Sequence, residues 1–265
     1  MRSLRATAIL VIVTASCARR VPTPSPPRPE AVVLTVVTWN MHGDSGDLPR
    51  LLTDLKTGRL TAGVTSDFAL LVQEASEDGI QTLVAQAIPR ALTAFFVPVR
   101  RGPGRTSGNA IVTSRALTGE RIIDLPQERQ PRAAALGIID VAGVQLFVVS
   151  AHLENRLGWL RGLFGDRARG RQAEALIAAL PTDMPGIVGG DMNTMLGPNE
   201  PAWRALLERF VDTPRDKPVP TFRDRLVLDH LFFDLPDGWK ATQHVIPDRY
   251  GSDHHPVLGV IAKGR

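Results

Sequence analysis

Gly189-Gly190-Asp191-Met192-Asn193-Thr194 sets a carboxylate and a carboxamide two residues apart, directly after a short apolar run over residues 185–188. Side chains in a strand alternate with period two, so Asp191 and Asn193 are expected on one side of an extended segment. An aspartate beside an asparagine at a strand end is poor core material. It suits holding a water, a phosphate oxygen or a hard cation. The two glycines allow the backbone to approach a neighbour closely. Related side chains recur in or at the ends of other apolar runs: Asn40, Glu74, His152, Asp229, Asp253 and His254. One polar residue at a strand end marks no more than a return to water. A set of carboxylates, amides and imidazoles with no lysine among them is the make-up of a site on the rim of a sheet sandwich.

The elements that must position these residues follow from hydrophobic pattern. Residues 32–39 are β-branched and apolar, an interior strand that delivers Asn40; residues 67–72 form a second, delivering Gln73 and Glu74. Further strands are predicted over 93–99, 108–114, 133–141, 144–150, 226–233, 238–245 and 256–262. Pro98 makes its strand an edge or a short one. The strands over 133–141 and 144–150 read as a hairpin turning at Ala142-Gly143. Helical spacing covers 49–57, 80–91, 171–180 and 201–210. Residues 100–107 read as a basic, glycine-rich loop. On the strand carrying Asp229, His230 alternates to the other face and is expected to pack, and His255 is expected to point away from His254.

The chain has 265 residues, 43% of them hydrophobic, enough for one large core and one α/β domain over residues 31–265. Residues 1–16 read as an export signal: Arg2 and Arg5, an apolar run over 6–13, then Ala15 and Ser16. The only cysteine, Cys17, stands at the expected cleavage point. Thr14-Ala15-Ser16-Cys17 resembles a bacterial lipobox, with Thr14 where Leu or Val is usual, and an ordinary cleaved signal is the alternative. Residues 17–30 carry five prolines and read as a stiff spacer. The five arginines and one glutamate of residues 1–30 account for the whole formal charge of +4, so the domain is neutral. Any anion site must therefore come from local arrangement.

Thr38-Trp39-Asn40, Gln73-Glu74, Ser107-Gly108-Asn109-Ala110-Ile111, Ser150-Ala151-His152-Leu153, Gly190-Asp191-Met192-Asn193, Leu228-Asp229-His230 and Ser252-Asp253-His254-His255-Pro256 occur in the order of the endonuclease/exonuclease/phosphatase superfamily, which the chain resembles over residues 31–265. The resemblance implies a DNase I-like fold: an α/β four-layer sandwich of two packed mixed, mostly antiparallel β-sheets flanked by helices. It also implies hydrolysis of a phosphate ester with one divalent cation, Mg²⁺ or Mn²⁺. Asn40, Glu74 and Asp253 would then supply the metal ligands. Asp191 would orient or deprotonate the attacking water, and Asn193 would donate to a phosphate oxygen. Asp229 would hold His254, either as a base or as a cationic clamp. His152 would hydrogen-bond the phosphate or protonate the leaving group, and Asn109 and Arg132 would organise the site and bind phosphate. His42 stands where some nucleases place another acidic ligand, which counts against a second metal.

The substrate is less determined than the reaction. A nuclease would use the arginines of residues 100–105 and 161–171 as a groove. A phospholipid or small-phosphodiester hydrolase is favoured by anchoring at Cys17 and by residues 157–164, which mix Trp159, Leu160, Leu163 and Phe164 with Arg161. A non-catalytic surface binding protein on the same scaffold is a third reading, opposed by retention of every motif. The expected state is a monomer in the cell envelope, held to a membrane through Cys17 or else periplasmic or secreted.

Overall fold

The computed structural model describes residues 31–61, 63, 67–87, 91–102, 105–155 and 166–264. The leader, Cys17, the proline-rich spacer and residues 157–164 lie outside them. Among the described residues eleven strands are distributed over two sheets. The first holds β1 (Ala31–Asn40), β2 (Phe68–Ser76), β3 (Thr93–Gly102), β4 (Arg105–Thr113), β10 (Trp239–Val245) and β11 (Val257–Lys263), in the order β10-β11-β1-β2-β4-β3. The second holds β5 (Leu117–Leu125), β6 (Arg132–Val141), β7 (Val144–His152), β8 (Gly186–Asp191) and β9 (Asp229–Asp234), in numerical order. Only β1 with β2 and β7 with β8 pair in parallel; every other pair is antiparallel.

Three apolar clusters make the layers. Leu34, Val36, Leu71, Ile111, Val148, Ile187 and Leu231 fill the space between the sheets. Val37, Trp39, Leu70 and Val112 pack outward under α1 (Leu48–Lys56) and α2 (Glu77–Ala85). Phe147, Val149, Val188 and Phe232 pack outward under α3 (Asp166–Ala179) and α4 (Pro201–Arg209). Most strands feed the inner cluster and one outer cluster because alternate side chains take opposite faces. The four-layer sandwich is the expected one.

Several boundaries differ from the sequence reading, each for a local reason. Residues 100–102 and 105–107 are not loop: they are paired ends of β3 and β4, with a register shift between Pro98 and Arg100. As Pro98 required, β3 is an edge strand. The unpredicted β5 is the edge of the second sheet and largely exposed, so it lacks an apolar run. Helix α2 begins earlier than expected because the Ser76 hydroxyl caps Gly79 N at 3.1 Å, with Glu77 and Asp78 in the first turn. Helix α3 likewise begins earlier, at Asp166, and β9 starts only at Asp229.

Candidate active site

The inner face of the sandwich explains how the polar residues meet. Inward positions of β1 run Leu34, Val36, Thr38, Asn40; those of β7 run Val148, Ser150, His152. Those of β8 end at Asp191, and those of β9 begin at Asp229, which are paired across the two strands. Asn40, His152 and Asp191 thus occupy the last inward positions of central strands from both sheets, and Asp229 the first inward position of the edge strand β9. Below them Gln73 Nε2 donates to Ser150 Oγ at 3.0 Å and to Thr38 Oγ1 at 3.2 Å, joining the sheets with a buried polar layer.

Glu74 would break this pattern on a regular strand, since Gln73 already points inward. Here β2 shifts register between Val72 and Ala75, and Glu74 takes a left-handed φ of 55°. This bulge puts the Glu74 carboxylate beside Asn40, whose Nδ2 donates to Glu74 Oε1 at 3.4 Å and to Asp191 Oδ2 at 3.0 Å. The Asn40 oxygen accepts from His42 N at 2.9 Å. In this arrangement Asn40 orients two carboxylates, and acting as an oxygen ligand requires its amide to turn over.

Asp229 Oδ2 lies 2.8 Å from His254 Nδ1, and the Asp229 and Leu228 amides donate to Thr221 Oγ1 at 3.0 and 2.9 Å. Ser252 Oγ accepts from His254 N and donates to Asn40 O, which fixes the loop before β11 against β1. His254 Nε2 faces Asp191 Oδ2 and Asp253 Oδ1, each at 3.9 Å, and His152 Nε2 stands 3.5 Å from Asp191 Oδ2. The three residues expected to hold the metal are divided. Asn40 and Glu74 touch, whereas Asp253 bonds Arg223 at 3.0 Å and faces His42 at 3.2 Å. Asn193 lies beyond β8 in a left-handed conformation (φ 52°), so strand alternation does not place it. Its backbone N–H donates to Asp191 Oδ1 and its amide donates to Leu153 O. His230 is buried on the outer face against Trp203, with Nε2 2.9 Å from Thr194 Oγ1. His255 bonds Ile246 O and Asp224, away from His254.

The two glycines before Asp191 approach protein. A Cβ at Gly189 would meet Leu71 at 2.7 Å in the opposite sheet, and one at Gly190 would meet the Ala151 carbonyl at 1.9 Å. Gly189 lets β8 lie close against the opposite sheet, and Gly190 lets it lie close against its neighbour β7.

Burial and Asp229 together lift the Asp191 carboxyl to about 7, against His254, Asn40 and the Asn193 amide. Burial opposes the charged form of His254, but Asp229, Asp191 and Asp253 outweigh it and raise the imidazole to about 9. His152 is driven the other way, well below 6.5, by burial and then by Arg132, His254 and Arg100. The site therefore holds one cationic and one neutral imidazole. Asp191, Asp229 and His254 each offer a ligand atom within 4.8 Å of the others, and Oδ1 of Asp229 and of Asp253 are buried without hydrogen-bond partners. Buried carboxylates with unpartnered oxygens, one of them pushed toward protonation, fit a divalent cation. This buried cluster could hold one, with Glu74 adjoining it through Asn40.

Beside Glu74 and His152 opens a cavity of about 310 Å³, walled also by Arg100, Asn109, Arg129 and Arg132. Asn109 Nδ2 donates to Ala133 O at 2.6 Å. Arg132 is 6% exposed, and its Nε and Nη2 have no partner. Glu154, which no motif singled out, is buried behind it and accepts from the Arg129 and Gln130 amides. It follows His152 by two residues, and that place just past a strand end was its only signal.

An acid–imidazole site with room for a cation, built where two sheets of a sandwich meet at one rim, defines a class. Residues 37–254 match the model of the endonuclease/exonuclease/phosphatase family, and the chain belongs to that family. Members are generally metal-dependent hydrolases acting on phosphoester bonds. Among solved structures it is similar to an endonuclease/exonuclease/phosphatase from Beutenbergia cavernae, at 17% identity and TM-score 0.67, covering 88% of this chain and 72% of that one. The human nocturnin catalytic domain with bound sulfate anion matches at 19% identity and TM-score 0.63, covering 88% and 94%. A family member from Bacteroides vulgatus matches at 16% identity and TM-score 0.65, covering 88% and 100%. No curated protein sequence gives a significant match.

Proposed function

We propose that the chain is an exported, divalent-metal-dependent phosphodiesterase. The observation that carries this reading is the convergence of Asn40, Glu74, His152, Asp191, Asp229 and His254 from both sheets, with Asn40 spanning Glu74 and Asp191. Glu74 and the Asp191 and Asp229 carboxylates would hold the ion, which when bound would polarise the phosphoryl oxygen or stabilise the departing oxyanion. Asp191 accepts the proton of the attacking water at a carboxylate oxygen that Asn40 already orients. His254, charged through Asp229, clamps a phosphate oxygen, and neutral His152 hydrogen-bonds the phosphate or the leaving oxygen. Water adds to phosphorus and the ester P–O bond breaks. The second reading, a DNase I-like endonuclease, shares these steps and differs in what occupies the flanking surface.

The test is turnover with and without Mg²⁺ on plasmid DNA, RNA, sphingomyelin, phosphatidylinositol phosphates and bis-p-nitrophenyl phosphate. Mg²⁺-dependent hydrolysis of a phosphodiester, abolished by a chelator, is the expected result. No turnover on any of them would contradict the reading.

A further inference from the structure

The cavity beside Glu74 and His152 has more positive charge than one scissile phosphodiester needs. Its wall holds three guanidiniums, Arg100, Arg129 and Arg132, against one carboxylate, Glu74. Among the described residues no carboxylate forms an ion pair with any of the three. Arg100 is held in place: its Nη2 donates to Gln130 Oε1 at 2.6 Å, and Gln130 Nε2 donates to Asn155 Oδ1 at 3.2 Å. That bond ties the edge strand β3 to the segment between β5 and β6 across the cavity. Arg132 is fixed by burial. Burial opposes the charged forms of Arg132 and His152, the Glu154, Asp191 and Glu74 carboxylates favour that of Arg132, and Arg100 adds to the lowering of both; three guanidiniums around one cavity raise the energy of the free protein. A phosphate group, which accepts paired N–H donors from guanidinium, removes that cost on binding.

We propose that this cavity is a subsite for a second phosphate on the substrate, so that the molecule hydrolysed carries an anionic phosphate next to the scissile ester. The inference rests on the phosphodiesterase reading above. The second phosphate could be a terminal monoester on a small molecule or the neighbouring phosphate of a nucleic-acid strand, since both present the same oxygens to the arginines.

The test uses the full chain and two substrates that differ by one group: thymidine 5′-(p-nitrophenyl phosphate) and the same ester carrying a 3′-phosphate. The 3′-phosphate should raise kcat/KM about tenfold or more, chiefly through KM, as one charge-assisted contact supplies. Arg100→Gln and Arg129→Gln should remove most of that gain while lowering turnover of the single-phosphate ester far less. Replacing the 3′-phosphate by a 3′-linked nucleotide identifies the source: a retained gain points to a strand, a lost gain to a terminal phosphate. Equal turnover of the first two substrates, or equal losses on both in the variants, would overturn the subsite and leave phosphodiester hydrolysis standing. If neither ester is hydrolysed, the substrate panel above decides the phosphodiesterase reading and calorimetry decides the subsite. Thymidine 3′,5′-bisphosphate should then bind more tightly than thymidine 5′-monophosphate and lose that advantage in Arg100→Gln. Equal affinities would overturn it.

Discussion

At the scale of single residues, the Asp229–His254 pair decides a question of role. A base must be neutral at working pH, and an imidazole raised to about 9 is not. We therefore propose the cationic role for His254, which the pH profile checks. Activity needs Asp191 ionised and His254 charged, so it should fall as pH drops through about 7 and as pH rises through about 9. A bound cation favours the carboxylate and should move the acid limb lower. A rate that climbs only above the upper value would assign His254 as the base. Stability should follow the same groups. Both pKa values are raised above their ordinary values, so the folded state binds these protons more tightly than the unfolded chain. The contribution of His254 is full below about 6.5 and lost as pH rises toward 9; that of Asp191 is lost as pH rises through 7. Between pH 6.5 and 9, without divalent metal, the melting temperature should decline, and His254→Gln should flatten that decline. In turnover, His254→Ala and Asp229→Asn should each cost about 10²-fold or more, and the double mutant little more than His254→Ala alone. Losses that multiply would show that the two act separately.

At the scale of elements, two devices aim the site, and neither is visible as a motif. The first is the bulge in β2. With regular alternation Glu74 would face α2, and only its left-handed backbone brings it to Asn40. Glu74→Gln keeps this geometry and removes the charge. Turnover should fall by about 10²-fold or more, and the rise in melting temperature on adding Mg²⁺ should shrink. Unchanged Mg²⁺ stabilisation would exclude Glu74 from the ion's surroundings. The second is a fully buried ion pair between α3 and the start of α4: Arg169 Nε and Nη2 meet Glu200 Oε2 and Oε1 at 2.7 and 2.8 Å, and Glu200 Oε1 also accepts from Leu196 N. It braces the segment that follows Asp191 and Asn193. Arg169→Met should cost about 3–5 kcal/mol in urea denaturation by stranding the Glu200 charge, whereas replacing both partners with apolar residues should cost much less. The strands that deliver Asn40, His152 and Asp191 were legible because apolar runs end in the functional residue, and that of Asp229 because an apolar run surrounds it. β5 was not, since an exposed edge strand needs no apolar run, and Glu74 and Asn193 reach the site through backbone φ values that no side-chain pattern records.

At the scale of the whole molecule, charge and attachment separate. The five arginines and one glutamate of residues 1–30 carry the entire net charge, leaving the family domain neutral. Among the described residues no helix is long and apolar enough to cross a membrane. A neutral domain gains little from the diffuse negative potential of lipid head groups, so surface electrostatics cannot hold it there. If the chain is attached to a membrane, as the lipobox-like residues 14–17 lead us to propose, the hold must come from acyl chains on Cys17, whose hydrophobic burial is indifferent to salt. The two mechanisms respond oppositely to ionic strength. At about 1 M salt the Debye length shrinks to about 3 Å and electrostatic attachment is released, while acyl chains stay buried. Membrane fractions washed at high salt should therefore retain the protein, and Cys17→Ser should move it to the soluble fraction without changing its turnover of a soluble phosphodiester. Mass spectrometry of the retained protein should find a diacylglyceryl group on Cys17. Release by salt from the unaltered chain, or retention of the Cys17→Ser protein, would show that something other than this cysteine holds the domain in place.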